Sequence, residues 1–124
     1  MERTPRILVI DDEQDQLDTV CRGLSLYGFQ CQGVLGVDAA IEVLDGAGED
    51  LDLVLTDLTM PGRSGLEFIE HVLARYPDLP IVVITGLAAT DEIGTVRGWN
   101  IPLLKKPFGT DALDATIRRA LGLR

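Results

Sequence analysis

Short aliphatic runs alternate with helix-period segments along the whole chain, and few folds accommodate that pattern. Ile7-Leu8-Val9-Ile10 is apolar at four consecutive positions, so a strand there needs cover on both faces. That is the pattern of a central strand in a parallel sheet. Leu17, Val20, Cys21 and Leu24 then recur at i, i+3, i+4, i+7 spacing up to Gly28, which predicts a helix. Residues 29–35 read as a second, less apolar strand. Residues 37–44 read as a short helix with Ala40, Ile41 and Leu44 inward, ended by Gly46 and Gly48. A third strand covers 51–56.

The clearest helix spans 64–76. Ile69, Val72, Leu73 and Tyr76 form one stripe, while Glu67, Glu70, His71 and Arg75 fall largely on the polar side. Four β-branched residues, Ile81 to Ile84, mark a fourth strand over 80–85, and a fifth covers about 102–105, with Pro102 suited to a sheet edge. The last helix runs from Thr110 or Asp111 to Leu121 behind a Gly-Thr-Asp entry suited to N-capping. Between Gly86 and Ile101 a short or mobile fourth helix is expected, because Gly94 and Gly98 each cost a helix interior roughly 1 kcal/mol relative to alanine. Every strand-to-strand connection carries a helix, so the sheet is parallel. The expectation is one α/β domain over residues 1–124, a doubly wound five-stranded parallel sheet of order 2-1-3-4-5 with five helices.

Bulk properties narrow the class. A chain of 124 residues with 46% hydrophobic content is long enough for one core and too apolar for disorder. Its aliphatic runs are far too short to cross a bilayer, and no apolar signal segment opens it, so a cytoplasmic location without membrane attachment is expected. A net charge of −9 makes nucleic acid a poor direct partner. Cys21 and Cys31 lack C-x-x-C spacing and read as buried thiols rather than a disulfide or metal site.

The chemistry collects at one end of the strands. Asp11 and Asp12 follow the first, Asp57 the third, Thr85 closes the fourth and Lys106 follows the fifth. In an open α/β sheet those carboxyl ends frame the ligand crevice. Two unit charges about 4 Å apart repel by about 4 kcal/mol at an effective dielectric near 20. Three carboxylates there need raised pKa values or a cation. An all-oxygen donor set favours a hard divalent ion, Mg²⁺ before Zn²⁺. Asp57 is the best nucleophile, since aspartates accept phosphoryl groups. Lys106 is placed to neutralise a phosphoryl oxygen and the Thr85 hydroxyl to donate to another. Taken singly, each residue has a plainer reading: Asp11 and Asp12 as helix-capping or loop acids, Asp57 as a turn initiator before Pro61-Gly62, Lys106 as a surface charge. Their coincidence at one sheet edge argues against those readings.

Leu8-Val9-Ile10-Asp11-Asp12-Glu13, then Asp57-Leu58-Thr59-Met60-Pro61-Gly62 with Gly65, then Thr85-Gly86, then Lys106-Pro107-Phe108 resemble, in order, the signatures of response-regulator receiver domains. The resemblance covers nearly the whole chain and implies the flavodoxin-like fold. It implies phosphorylation of Asp57 by a sensor histidine kinase or a histidine phosphotransfer protein, to control an output partner or domain. It implies Mg²⁺ held by Asp12, Asp57 and the backbone carbonyl of Thr59, with Asp11 acting mostly through water. Thr85 and Lys106 would bind the phosphoryl group, and the Lys106-Pro107 bond would be cis. Such a domain is no enzyme beyond its own phosphorylation and autodephosphorylation. A homodimer would use the fourth helix, fifth strand and fifth helix. Leu103 stands where the family has an aromatic switch residue, and Gly98-Trp99-Asn100 where a Gly-Ala pair is common; both departures bear on that output face. Two other classes share the topology. A flavin binder needs a phosphate-cradling loop after the first strand, where Asp11-Asp12-Glu13 would repel it. A phosphatase needs an acid–base residue beside Asp57, and none is evident.

Overall fold

A computed structural model of the chain describes residues 4–47, 50–58, 65–86 and 90–123. Strands and helices alternate: β1 (Arg6–Asp11), α1 (Gln14–Leu26), β2 (Gln30–Leu35), α2 (Val37–Ala47), β3 (Leu53–Asp57), α3 (Gly65–Arg75), β4 (Ile81–Thr85), α4 (Thr90–Gly98), β5 (Leu103–Lys105) and α5 (Thr110–Ala120). All neighbouring strands pair parallel, in the order β2-β1-β3-β4-β5. The flavodoxin-like architecture expected from the strand pattern is the one observed.

The two-residue period of a strand sorts the core into two layers. Leu8, Ile10, Val54, Ile81 and Val83 face α2, α3 and α4, where they meet Ala40, Leu44, Phe68, Ile69, Val72 and Val96. Ile7, Val9, Leu53, Leu55, Val82 and Ile84 face α1 and α5, against Leu17, Leu24, Leu113 and Ile117. β1, β3 and β4 are thus apolar at successive positions because each lies between two helical layers. β5 is an edge strand, and Pro102 just before it contributes its carbonyl, accepting from the Val83 N–H at 2.9 Å. Trp99 packs on the α2/α3/α4 layer. No described helix is long and apolar enough to cross a membrane.

Four local features differ from the sequence pattern. α2 continues through Gly46 to Ala47 rather than stopping at the glycine. α5 is entered from Gly109 with no side-chain cap bond, so the Gly-Thr-Asp entry caps nothing through a hydroxyl or carboxylate. His71 is half-buried with its Nε2 atom enclosed, because α2 lies beside α3 and covers a face that α3 alone would leave to water.

Cys21 and Cys31, read from sequence as free thiols, are joined as a disulfide. α1 lies directly on β2: a Cβ on Gly33 would come within 2.8 Å of the Leu17 side chain, so glycine there gives Leu17 its room. The two cysteine Cα atoms lie 5.4 Å apart, well inside the bridging range of about 4.4–6.8 Å.

Candidate functional site

Strand parity decides what meets at the carboxyl edge. Asp11 continues the Ile7, Val9 row of β1, and Asp57 continues the Leu53, Leu55 row of β3, so both emerge on the α1/α5 side. Both are buried, as is Thr85 at the end of β4. Lys106 follows β5, and its N–H donates to the Thr85 carbonyl at 2.8 Å, extending the β4–β5 ladder by one bond. The Lys106-Pro107 peptide is cis.

The Lys106 ammonium turns inward. Its Nζ donates to Asp57 Oδ2 at 2.8 Å and stands 4.0 Å from Asp11 Oδ2. Only about a quarter of the lysine side chain is exposed (27%), against 6% for Asp57 and 2% for Asp11. The counter-charge demanded by clustered carboxylates is therefore supplied from within the chain. Lys106 Nζ also donates to Gln16 Oε1, at 2.5 Å, from the first turn of α1. Sequence reasoning passed over Gln16, because a polar residue in a first helical turn ordinarily faces water. The available signal was its place one turn before Val20, beside the inward stripe of α1.

Asp11 is held by the backbone after β1. Its Oδ1 accepts from the N–H groups of Asp12 at 2.7 Å and Glu13 at 3.1 Å. Its Oδ2 is buried with no hydrogen-bond partner among the described residues. Burial pushes the Asp11 carboxyl above its ordinary value; the Asp12 carboxyl and the Asp57 charge push the same way, while the Glu13 N–H and Lys106 oppose them. Asp12 follows on the exposed side of the crevice. Thr85 Oγ1 is likewise buried without a hydrogen-bond partner among the described residues.

Gly65 sets the depth of the site from below. A Cβ there would lie 2.6 Å from the Leu58 carbonyl oxygen, 2.8 Å from Leu58 Cα and 2.9 Å from the Asp57 carbonyl oxygen. The start of α3 is thus pressed onto the backbone that presents Asp57. Thr59 and the Pro61-Gly62 turn lie outside the described residues.

Among the described residues no group of three or more His, Cys, Asp or Glu side chains forms a metal cage. What the edge offers is two buried carboxylates, a third at the surface and one buried carboxylate oxygen lacking a hydrogen bond. That all-oxygen set fits Mg²⁺, which takes one or two carboxylates and fills its shell with waters and phosphate oxygens.

Residues 7–118 match the family model of the response regulator receiver domain. The chain belongs to that family. Receiver domains of two-component response regulators accept a phosphoryl group on an aspartate and thereby switch an output; they are phosphoacceptor switches rather than classical enzymes, and generally use Mg²⁺. The chain is 33% identical over 119 residues to the response regulator protein FleR of Pseudomonas aeruginosa, covering 94% of this chain and 25% of that protein. It is 34% identical over 121 residues to the phosphate regulon transcriptional regulatory protein PhoB of Escherichia coli, covering 94% of this chain and 51% of that protein. It thus spans between a quarter and a half of these relatives' lengths. A response regulator receiver domain from Clostridium thermocellum superposes with a TM-score of 0.90 at 24% identity, over 95% of this chain and 94% of that one, which shows the shared fold.

Proposed function

We propose that residues 1–124 act as one receiver unit in which Asp57 is the phosphoacceptor. The observation that carries this reading is the Lys106 ammonium, 2.8 Å from Asp57 Oδ2, beside the buried Asp11 Oδ2 that has no hydrogen-bond partner among the described residues. A carboxylate oxygen of Asp57 attacks the phosphorus of a phosphohistidine. The O–P bond forms as the P–N bond breaks, and the electron pair leaves on the imidazole nitrogen. Transfer of this kind asks mainly for positioning and charge neutralisation. Lys106 moves from the Asp57 carboxylate to a phosphoryl oxygen, and the Thr85 hydroxyl, lacking a partner among the described residues, donates to another. Asp12, Asp57 and the Thr59 carbonyl would hold Mg²⁺, with Asp11 acting through water; when bound, the ion would neutralise phosphoryl oxygens in transfer and in autodephosphorylation.

The donor is a sensor histidine kinase or a histidine phosphotransfer protein in the cytoplasm, and nucleic acid is not a direct partner of this acidic unit. The output contact, with a partner, a further domain or a second copy, belongs to the α4–β5–α5 face. Leu103 packs there on the α2/α3/α4 layer where the family carries an aromatic switch residue.

The test is fluorine NMR with beryllofluoride and Mg²⁺. One bound beryllofluoride signal is expected, lost on chelation of Mg²⁺ and absent from Asp57→Asn; a signal surviving in that variant would place the acceptor elsewhere. Asp12→Ala should weaken Mg²⁺ binding more than Thr85→Ala does, and equal affinities would refute the ligand assignment.

A further inference from the structure

Lys106 has a partner that the phosphoacceptor chemistry does not account for. Its ammonium donates at once to Asp57 Oδ2 and to the side-chain oxygen of Gln16, a residue ninety positions away in the chain. Gln16 is half-buried in the first turn of α1, at the head of a groove of about 390 Å³ that it lines with Asp15, Val20, Lys106, Pro107 and Phe108.

The pairing has a physical use. A lysine ammonium on its four-carbon stem carries about 2 kcal/mol of rotamer entropy, which must be lost each time it is aimed. A carboxylate in place of Gln16 would aim it too, but would add a third negative charge around the ammonium beside Asp11 and Asp57. An amide oxygen fixes the ammonium with no added charge. It also leaves a second anchor when Asp57 is converted to the acyl phosphate and its carboxylate no longer holds the lysine.

We infer that Gln16 is a positioning residue for phosphoryl transfer: through its side-chain oxygen it holds the Lys106 ammonium over Asp57, so that the phosphoryl group meets a lysine already in place. The inference rests on Asp57 being the phosphoacceptor and adds a determinant of rate on α1.

The experiment compares wild type, Gln16→Met and Gln16→Glu with two readouts. The first needs no phosphodonor: the Lys106 Nζ resonance, in protein with ¹⁵N-labelled lysine, is followed for protection from solvent exchange. Wild type and Gln16→Glu, which retain both acceptors, should show the more strongly protected ammonium signal, and Gln16→Met, of similar length and left with the Asp57 bond alone, should exchange faster. The second is the rate of phosphorylation by acetyl phosphate at saturating Mg²⁺, expected to fall about fivefold or more in Gln16→Met, a fraction of what one hydrogen bond to a charged group is worth. In Gln16→Glu it should fall less than in Gln16→Met, since the anchor is kept although a charge is added. Melting temperatures of the three proteins establish that each is folded. A Gln16→Met protein with a wild-type Lys106 signal and wild-type rate overturns the inference while leaving Asp57 as acceptor. A wild-type protein that takes no phosphoryl group overturns both, and the Lys106 resonance then still reports the Gln16 anchor separately.

Discussion

Lys106 Nζ and Asp57 Oδ2 lie 2.8 Å apart, with the lysine 27% and the aspartate 6% exposed, so ammonium and carboxylate form a largely buried ion pair. Removing one member of a largely buried pair leaves the other charge uncompensated. Lys106→Met should therefore destabilise the metal-free protein by about 1–3 kcal/mol, less than a fully buried pair because water reaches the lysine. Added Mg²⁺ should recover much of that loss, and should bind the variant more tightly than wild type because the competing ammonium is gone. Chemical denaturation with and without Mg²⁺ checks both; equal Mg²⁺ affinity in the two proteins would mean that lysine and metal do not share the same carboxylates.

Asp11 makes stability depend on pH. Its folded-state carboxyl is raised above the ordinary 3.8, chiefly by burial. The folded protein then holds this proton more tightly than the unfolded chain does. The stability contributed is fully present below the ordinary value and is lost as pH rises through the raised one. Near neutrality the Asp11 charge opposes folding. Asp11→Asn should accordingly raise the melting temperature of the metal-free protein at neutral pH by roughly 4 °C for about 1 kcal/mol. The gain should shrink as pH falls toward 3.8. Melting curves over that range test it, and an equal or lower melting temperature at neutral pH is the contrary result.

Gly65 meets backbone, which cannot swing aside as a side chain can. Its replacement by alanine would set a Cβ 2.6 Å from the Leu58 carbonyl oxygen. The expected outcome of Gly65→Ala is a loss of about 1–3 kcal/mol, the usual range for overpacking. Beryllofluoride binding should weaken as well, because the clash falls on the Asp57–Leu58 backbone. A stable variant with unchanged binding would show that the start of α3 does not set the position of Asp57.

The bridge between Cys21 and Cys31 closes a short loop between α1 and β2. Opening it with a strong reductant should lower stability by about 2 kcal/mol, the lower part of the range for short loops. Cys31→Ala should melt at a temperature insensitive to reductant. Thiol titration of unreduced protein in denaturant should find no free cysteine; two titratable thiols would contradict the pairing.

The fold was legible where burial is two-sided. Ile7 to Ile10 and Ile81 to Ile84 could be central parallel strands or little else, because each row faces its own helical layer. The meeting of Asp11, Asp57 and Lys106 followed from the strand ends and the two-residue period. Partners set by how one element lies on another were not legible. Gln16 reaches Lys106 only because α1 packs beside the loop after β5. Cys21 reaches Cys31 because α1 lies on β2 beside Gly33, and His71 lies against Val37 and Ile41 of α2.

The most direct measurement is chemical trapping of the phosphorylated residue. Protein treated with acetyl phosphate and Mg²⁺ is reduced with borohydride, which converts an aspartyl phosphate to homoserine, and the modified position is read by peptide sequencing. Homoserine at position 57, and absent when Mg²⁺ is withheld, is the expected result. Reduction at another aspartate, or none in folded protein supplied with Mg²⁺ and donor, would contradict the assignment of Asp57 as the phosphoacceptor.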